Sequence, residues 1–232
     1  MAVRPNVAWV TRDEPESGPL CSALRDQGCE PHLDPLVRCE PLSDGRACLE
    51  TMREGDWLVL TSPRAVALID AGAVQPGVRI AVVSEASARA ARARGLDVGL
   101  VSPTPSAAGL WRAIATQRGA GDVVFAKSVQ APSPPASVGP VVCHDLYTTL
   151  PRTPDPSSAG RSGCVTFTSP TAVRSFDAQL PGCNLPRVCL GETTARSARE
   201  RAQGRVVVAR EPSFRALAEA VREALRRTDR ER

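Results

Sequence analysis

The chain has 232 residues, of which 42% are apolar, 23% charged and 3% aromatic, with a formal net charge of +4. That length suits one large domain or two small ones, the composition is that of an ordinary globular protein, and no stretch approaches the roughly 20 apolar residues of a membrane span. Arginines scattered along the chain, with no basic stripe interleaved with aromatics, exclude the usual nucleic-acid surface and remain compatible with a small polyanionic ligand.

The opening MAVRPNVAWVTRDEPE lacks an apolar run long enough for a secretory core, so a cytoplasmic protein is expected. Short apolar runs at 7–10, 57–60, 80–83, 122–125, 164–167 and 206–209 are bounded by turn residues and alternate with helical stretches. Such alternation predicts an α/β protein with parallel strands covered on both faces, in two doubly wound domains. Residues 29–41, with Pro31, Pro35 and Pro41, and residues 141–154, with Pro151 and Pro154, read as extended connectors, since proline resists helix and suits edge strands. DPSSAGRSG at 155–163 reads as a solvated loop. The final SFRALAEAVREALRRTDRER predicts an amphipathic helix with Leu217, Val221 and Leu225 on one face, running into a solvated basic tail. The eight cysteines never form CxxC, and His32 and His144 are the only histidines, so free thiols rather than a zinc site are expected.

One hexapeptide is written twice, as TSPRAV at 61–66 and TSPTAV at 168–173. Residues 61–94 align with 168–201 without a gap, and 13 of the 34 pairs are identical. Two successive strand-to-helix passages recur in this register, the second as VVSEASARAARAR and CLGETTARSARER, which points to internal duplication. More loosely, NVAWVTR at 6–12 corresponds to DVVFAKS at 122–128.

In each hexapeptide a strand runs into Thr-Ser-Pro and then a helix. Proline at the first helical position needs no amide donor, and the serine before it caps the first turn. Free backbone N–H groups then point outward at the carboxyl edge of the sheet, where doubly wound folds bind ligands and the helix dipole favours anions. Thr61, Ser62, Thr168 and Ser169 are thus either caps alone or part of two amide-rich rims facing a flexible polycarboxylate. Neither GxGxxG nor GxxxxGK[ST] follows any strand, which disfavours a nucleotide-binding module.

The ordered set VTR, TSPRAV, DLYTT, FTSPTAV, LGETTARSARERA and AREPSFRALAEAV resembles uroporphyrinogen-III synthases over nearly the whole chain. The resemblance implies two flavodoxin-like parallel-sheet domains joined by a two-stranded β connector, with the active site in the cleft between them. It places residues 1–34 plus 154–232 in one discontinuous domain and 35–153, with the connector strands, in the other; contiguous domains split near residue 120 are the alternative. The implied reaction closes hydroxymethylbilane, a linear tetrapyrrole with eight carboxylates, to uroporphyrinogen III with inversion of ring D and loss of water, through an azafulvene and a spiro-pyrrolenine. It implies no cofactor and no metal, and a monomer is the expected state.

Carried over residue by residue, the resemblance makes Tyr147, the only tyrosine, a hydrogen-bond or proton donor to the departing hydroxyl, or else a packing residue beside the connector ladder. Substrate contacts fall to Thr11, Arg12, Thr61, Ser62, Arg64, Ser84, Ser87, Lys127, Ser128, Thr168, Ser169, Thr193 and Thr194. Ser84 stands where the family has glycine and Ser87 where it has threonine. Lys127 either stands in for a basic carboxylate contact or is a surface lysine. KSVQAPSPPASVGP at 127–140 replaces a family helix, and Pro132, Pro134 and Pro135 should abolish most of it. A non-catalytic relative that binds a tetrapyrrole or other polycarboxylate is the competing function.

Overall fold

The computed structural model describes residues 6–42, 45–46, 48–202 and 204–230, with side chains up to 226. The basic tail expected beyond the last helical turns lies outside the described side chains.

In chain order the first half comprises β1 (Val7–Val10), α1 (Pro19–Asp26), β2 (Glu30–Leu33), β3 (Val37–Pro41), β4 (Trp57–Leu60) and α2 (Pro63–Leu68). It continues with β5 (Arg79–Val82), α3 (Glu85–Arg92), β6 (Val98–Val101), α4 (Ala107–Gln117) and β7 (Val123–Ser128). The second half comprises β8 (Val142–Pro151), α5 (Ser158–Arg161), β9 (Cys164–Phe167), α6 (Pro170–Gln179) and β10 (Arg187–Cys189). It ends with α7 (Glu192–Arg201), β11 (Val206–Val208) and α8 (Phe214–Arg230). Among the described residues no helix is long and apolar enough to cross a membrane. The chain divides into two compact units, Met1–Arg38 with Leu150–Arg232, and Cys39–Thr149.

The first unit is built on a five-stranded sheet of order β11-β10-β9-β1-β2 in which every pair is parallel. Because side chains alternate across a strand, β1 sends Ala8 and Val10 to one face and Trp9 to the other. Ala8 and Val10 pack with Leu20, Cys21 and Leu24 of α1 and with Leu217, Val221 and Leu225 of α8, the face predicted for that helix. Trp9 packs with Phe167 and with Val173, Phe176, Ala195 and Ala198 of α6 and α7. Phe176 meets both Trp9 and Phe167 edge to face, at 5.6 and 5.3 Å between ring centroids. Helix α1 starts at Gly18, which has no capping side chain. Glu14 supplies the cap instead, accepting from the Leu20 and Cys21 amides at 3.1 and 2.8 Å, where the helix dipole favours a carboxylate.

Two buried polar clusters brace this unit. Arg187, 2% exposed, pairs with Asp177 at 2.7 Å, donates to the Ala198 carbonyl and lies over the Phe176 ring, so it ties the amino end of β10 to α6 and α7. Asp34 takes the Asp155 amide at 2.7 Å and the Ser158 hydroxyl at 2.6 Å, holding the chain after β8 against the end of β2. Since Ser158 donates to Asp34, His32 Nε2, 2.8 Å from Ser158 Oγ, must be the donor in that contact; this tautomer is inferred from the network.

Burial above all, with help from Arg161, lowers the His32 pKa from its ordinary 6.5, against the pull of Asp34, Asp155 and Glu30. A base whose folded pKa lies below its unfolded value contributes its full stability above about 6.5 and loses it as pH falls through the folded pKa. The urea midpoint of the native protein should therefore drop more between about pH 7.5 and 5.5 than that of His32→Gln. Equal drops would remove His32 from the acid response.

The second unit carries a six-stranded sheet of order β3-β8-β7-β4-β5-β6. The pairs β8·β7, β7·β4, β4·β5 and β5·β6 are parallel. The β3·β8 pair is antiparallel, since the Leu42 amide bonds the Leu146 carbonyl while the Arg152 amide bonds the Leu36 carbonyl. A wholly parallel second sheet was expected, and the sheet is mixed. The connector strands do not stand apart: β8 also pairs with β7 from Val142 to Tyr147, which draws the ladder into the sheet edge.

One face of this sheet places Leu58, Leu60, Ile80, Val82, Val124 and Ala126 against α2 and α3. The other places Trp57, Val59, Ala81, Val123 and Phe125 against Leu110, Trp111 and Ile114 of α4. Between β7 and β8 the proline-rich stretch forms only a 3₁₀ turn, Ala136–Val138, whose buried Val138 joins that second face. Proline's missing N–H and fixed φ account for the absence of an α-helix there.

Candidate functional site

Each residue singled out by sequence lies at or just past the carboxyl end of a strand in its own sheet, except Tyr147. That tyrosine is within β8, in register with Ser128 at the end of β7.

In the first unit, Thr11 and Arg12 follow β1. Thr11 is fully buried and donates to the Thr166 carbonyl at 2.6 Å, while Thr166 donates to the Trp9 carbonyl, so both hydroxyls are spent inside the sheet. Arg12 pairs with Glu14 at 3.1 Å and lies over the Phe214 ring, 4.4 Å from its centroid. Ser169 caps α6 by accepting the Ala172 amide at 3.3 Å. Helix α7 begins differently. Its N-cap is Gly191, where an added Cβ would meet nothing within 4 Å and no side chain satisfies the first amides. The N–H groups of Glu192 and Thr193 have no acceptor among the described residues.

A cavity of about 490 Å³ opens at this helix end, lined by Thr168, Gly191, Thr193, Thr194 and Arg210 among others. Thr194 is 5% exposed, yet its hydroxyl has no hydrogen-bond partner among the described residues. A hydroxyl with no protein partner at the wall of a cavity beside a helix N-terminus is poised to bond a ligand atom there.

In the second unit, Ser62 caps α2 by accepting the Ala65 amide at 3.0 Å, and its Oγ lies 2.9 Å from the Tyr147 hydroxyl. Thr61 precedes it at the strand end and Arg64 is partly buried in the first turn. Tyr147 is 8% exposed. Burial pushes its phenol pKa up, partly offset by the Ser62 hydrogen bond, so the proton is retained at neutral pH. Ser84 caps α3 through the Ser87 amide at 3.3 Å, and fully buried Ser87 keeps its hydroxyl 3.2 Å from that of Ser84. The serine at 84 thus takes the third amide of its helix with a side chain, whereas at its counterpart Gly191 the third amide, that of Thr194, bonds only the Gly191 carbonyl.

Lys127 is 12% exposed and pairs with Asp145 at 2.7 Å, so it is neither a free surface lysine nor an unengaged cation. Ser128 donates to Gln130 Oε1 at 2.7 Å, and Gln130 reaches on to Thr148 and Thr149 of β8. A bulge between Lys127 and Ser128 re-aims this strand end.

Sequence reading missed Arg210. It stands one residue past Ala209, whose amide bonds the Cys189 carbonyl and so extends the β11 pairing to the sheet edge. The signal was present in RE directly after the strand run 206–209, but this junction lies beyond the repeated segment and has no copy to compare with. Among the described residues no three His, Cys, Asp or Glu side chains gather closely enough to hold a metal ion.

Comparison with known proteins identifies the relatives of this arrangement. The family model described as Uroporphyrinogen-III synthase HemD matches residues 19–219. Among solved structures, a mutant uroporphyrinogen III synthase from Thermus thermophilus superposes with a TM-score of 0.59 at 17% identity, covering 97% of this chain and all of that one. Uroporphyrinogen-III synthetase from Helicobacter pylori superposes with a TM-score of 0.62 at 14% identity, covering 94% and 97%. At such identities the likeness is one of fold. No curated protein matches the chain.

Proposed function

As the chain belongs to the uroporphyrinogen-III synthase family, which cyclises hydroxymethylbilane to uroporphyrinogen III, we propose that it holds the carboxylates of that substrate at the carboxyl-edge turns of its sheets. The observation that carries this reading is the open end of α7, where two free amides, the Thr194 hydroxyl and Thr168 border one cavity. Carboxylates of a flexible tetrapyrrole satisfy these donors and gain from the helix dipole.

In this reading Thr168, Ser169, Thr193 and Thr194 bind from the first unit and Thr61, Ser62, Arg64, Ser84, Lys127 and Ser128 from the second. Thr11, Arg12 and Ser87, whose side chains are engaged internally, serve by fixing the strand and helix ends. Tyr147 donates its proton to the leaving hydroxyl; the C–O bond breaks, water departs, and the proton finally lost from the reclosed ring D restores the phenol. Because the bilane also closes spontaneously without inversion, the protein's larger contribution is to hold the substituted carbon of ring D within reach of the cationic end, a proximity effect. The sheet order of the first unit, 2-1-3-4-5 when its strands are counted within the unit, supports a flavodoxin-like description. We place the enzyme in the cytoplasm as a monomer acting without a cofactor.

Freshly prepared hydroxymethylbilane supplied to the purified protein should yield predominantly the type III isomer. Type I product alone, as in a protein-free blank, would overturn the proposal.

A further inference from the structure

Resting on this substrate assignment, we infer that Arg210 is a specificity-determining residue that pairs with one carboxylate of the tetrapyrrole at the open end of α7. The cavity there is lined by three charged side chains, Arg210, Glu192 and Glu211. Glu192 is held by Arg199 at 2.5 Å, and Glu211 accepts the Ser213 hydroxyl at 2.9 Å. Arg210 is exposed and has neither an ion pair nor a hydrogen bond among the described residues. It is fixed at the edge because the preceding residue, Ala209, is buried and bonded to β10.

Without Arg210 the cavity would offer a polycarboxylate two glutamates and no cation of its own. With it, a carboxylate entering beside Gly191 meets two free amides, the unpartnered hydroxyl of Thr194, a residue 5% exposed, and a guanidinium fork suited to planar bidentate pairing. The unpartnered Thr194 hydroxyl is independent of the guanidinium and points to the same ligand group. Glycine at 191 keeps the approach to these amides free of a side chain.

The test is steady-state kinetics on hydroxymethylbilane with isomer analysis. Arg210→Gln should raise KM about 3- to 10-fold with kcat within about twofold, the range of one solvent-screened charge-assisted contact. Arg210→Glu should raise KM further, Arg210→Lys should recover most of the loss, and the Gln effect should shrink at about 0.5 M salt. Melting temperatures should match the parent. Unchanged KM in both the Gln and Glu variants, while the parent still makes type III product, would overturn the role of Arg210 and leave the function intact. So would losses in kcat and melting temperature shared by Arg210→Lys, which would make it a packing residue. Type I product from the parent would instead sink the functional assignment itself.

Discussion

Replacing Tyr147 by Phe is expected to slow formation of uroporphyrinogen III on the order of 100-fold, the low end of what a positioned general acid contributes. The phenol sits 2.9 Å from Ser62 Oγ, and its burial-raised pKa keeps it protonated. Ser62 Oγ already accepts the Ala65 amide, so the hydroxyl is held by a fixed partner at the start of α2. Removing it costs the fold about 1 kcal/mol for the lost hydrogen bond, which a urea titration separates from the kinetic effect. With the enzymatic route slowed, spontaneous closure competes, and the product mixture should shift toward type I. A Phe variant with parental rate and isomer ratio would reduce Tyr147 to a packing residue of β8.

The second large effect is on stability. Asp177→Ala is expected to lower the unfolding free energy by about 3–5 kcal/mol, because it strands the Arg187 guanidinium in a site where that side chain is 2% exposed. The remaining partners, the Ala198 carbonyl and the Phe176 ring, do not neutralise the charge. Arg187→Met should be similarly costly, since it leaves the buried Asp177 carboxylate alone. The double variant Asp177→Leu with Arg187→Met should lose far less than the sum of the two, as a well-packed apolar pair replaces a desolvated ionic one. Additive losses in urea titrations would show that the two charges are not coupled.

Apolar runs located β1, β4 and β9 to the residue, because strands buried on both faces write a continuous hydrophobic signal. The repeated hexapeptide located the helix starts at Ser62 and Ser169, since a cap is local chemistry. What pairs with what was less legible. Nothing in VCHDLYTTLP says that it lies parallel to β7 on one side and antiparallel to β3 on the other, because a strand's partners are distant in sequence. The strand VGLV and helix α4 were not singled out: at the sheet edge Val98 is only partly buried and Gly99 is exposed, and this passage falls outside the repeat.

The candidate site divides in the same way. Strand-end hydroxyls could be named from sequence, but whether each faces a cavity or its own backbone depends on geometry. Thr11 turned out to serve the Thr166 carbonyl and Lys127 to pair with Asp145, whereas Thr194 keeps an unspent hydroxyl.

The strand order of the five-stranded sheet also sets a timetable for biosynthesis. Strand β1 lies between β2, which follows it at once, and β9, which begins at Cys164. Helix α1 packs on α8, which begins only at Phe214. A nascent chain therefore carries residues 6–38 as an unfinished edge while the uninterrupted unit Cys39–Thr149 leaves the ribosome whole. Trp9 and Leu20, which precede that unit in the chain, are among the last to find their full surroundings, which makes residues 6–38 the place where a holding chaperone has most to do.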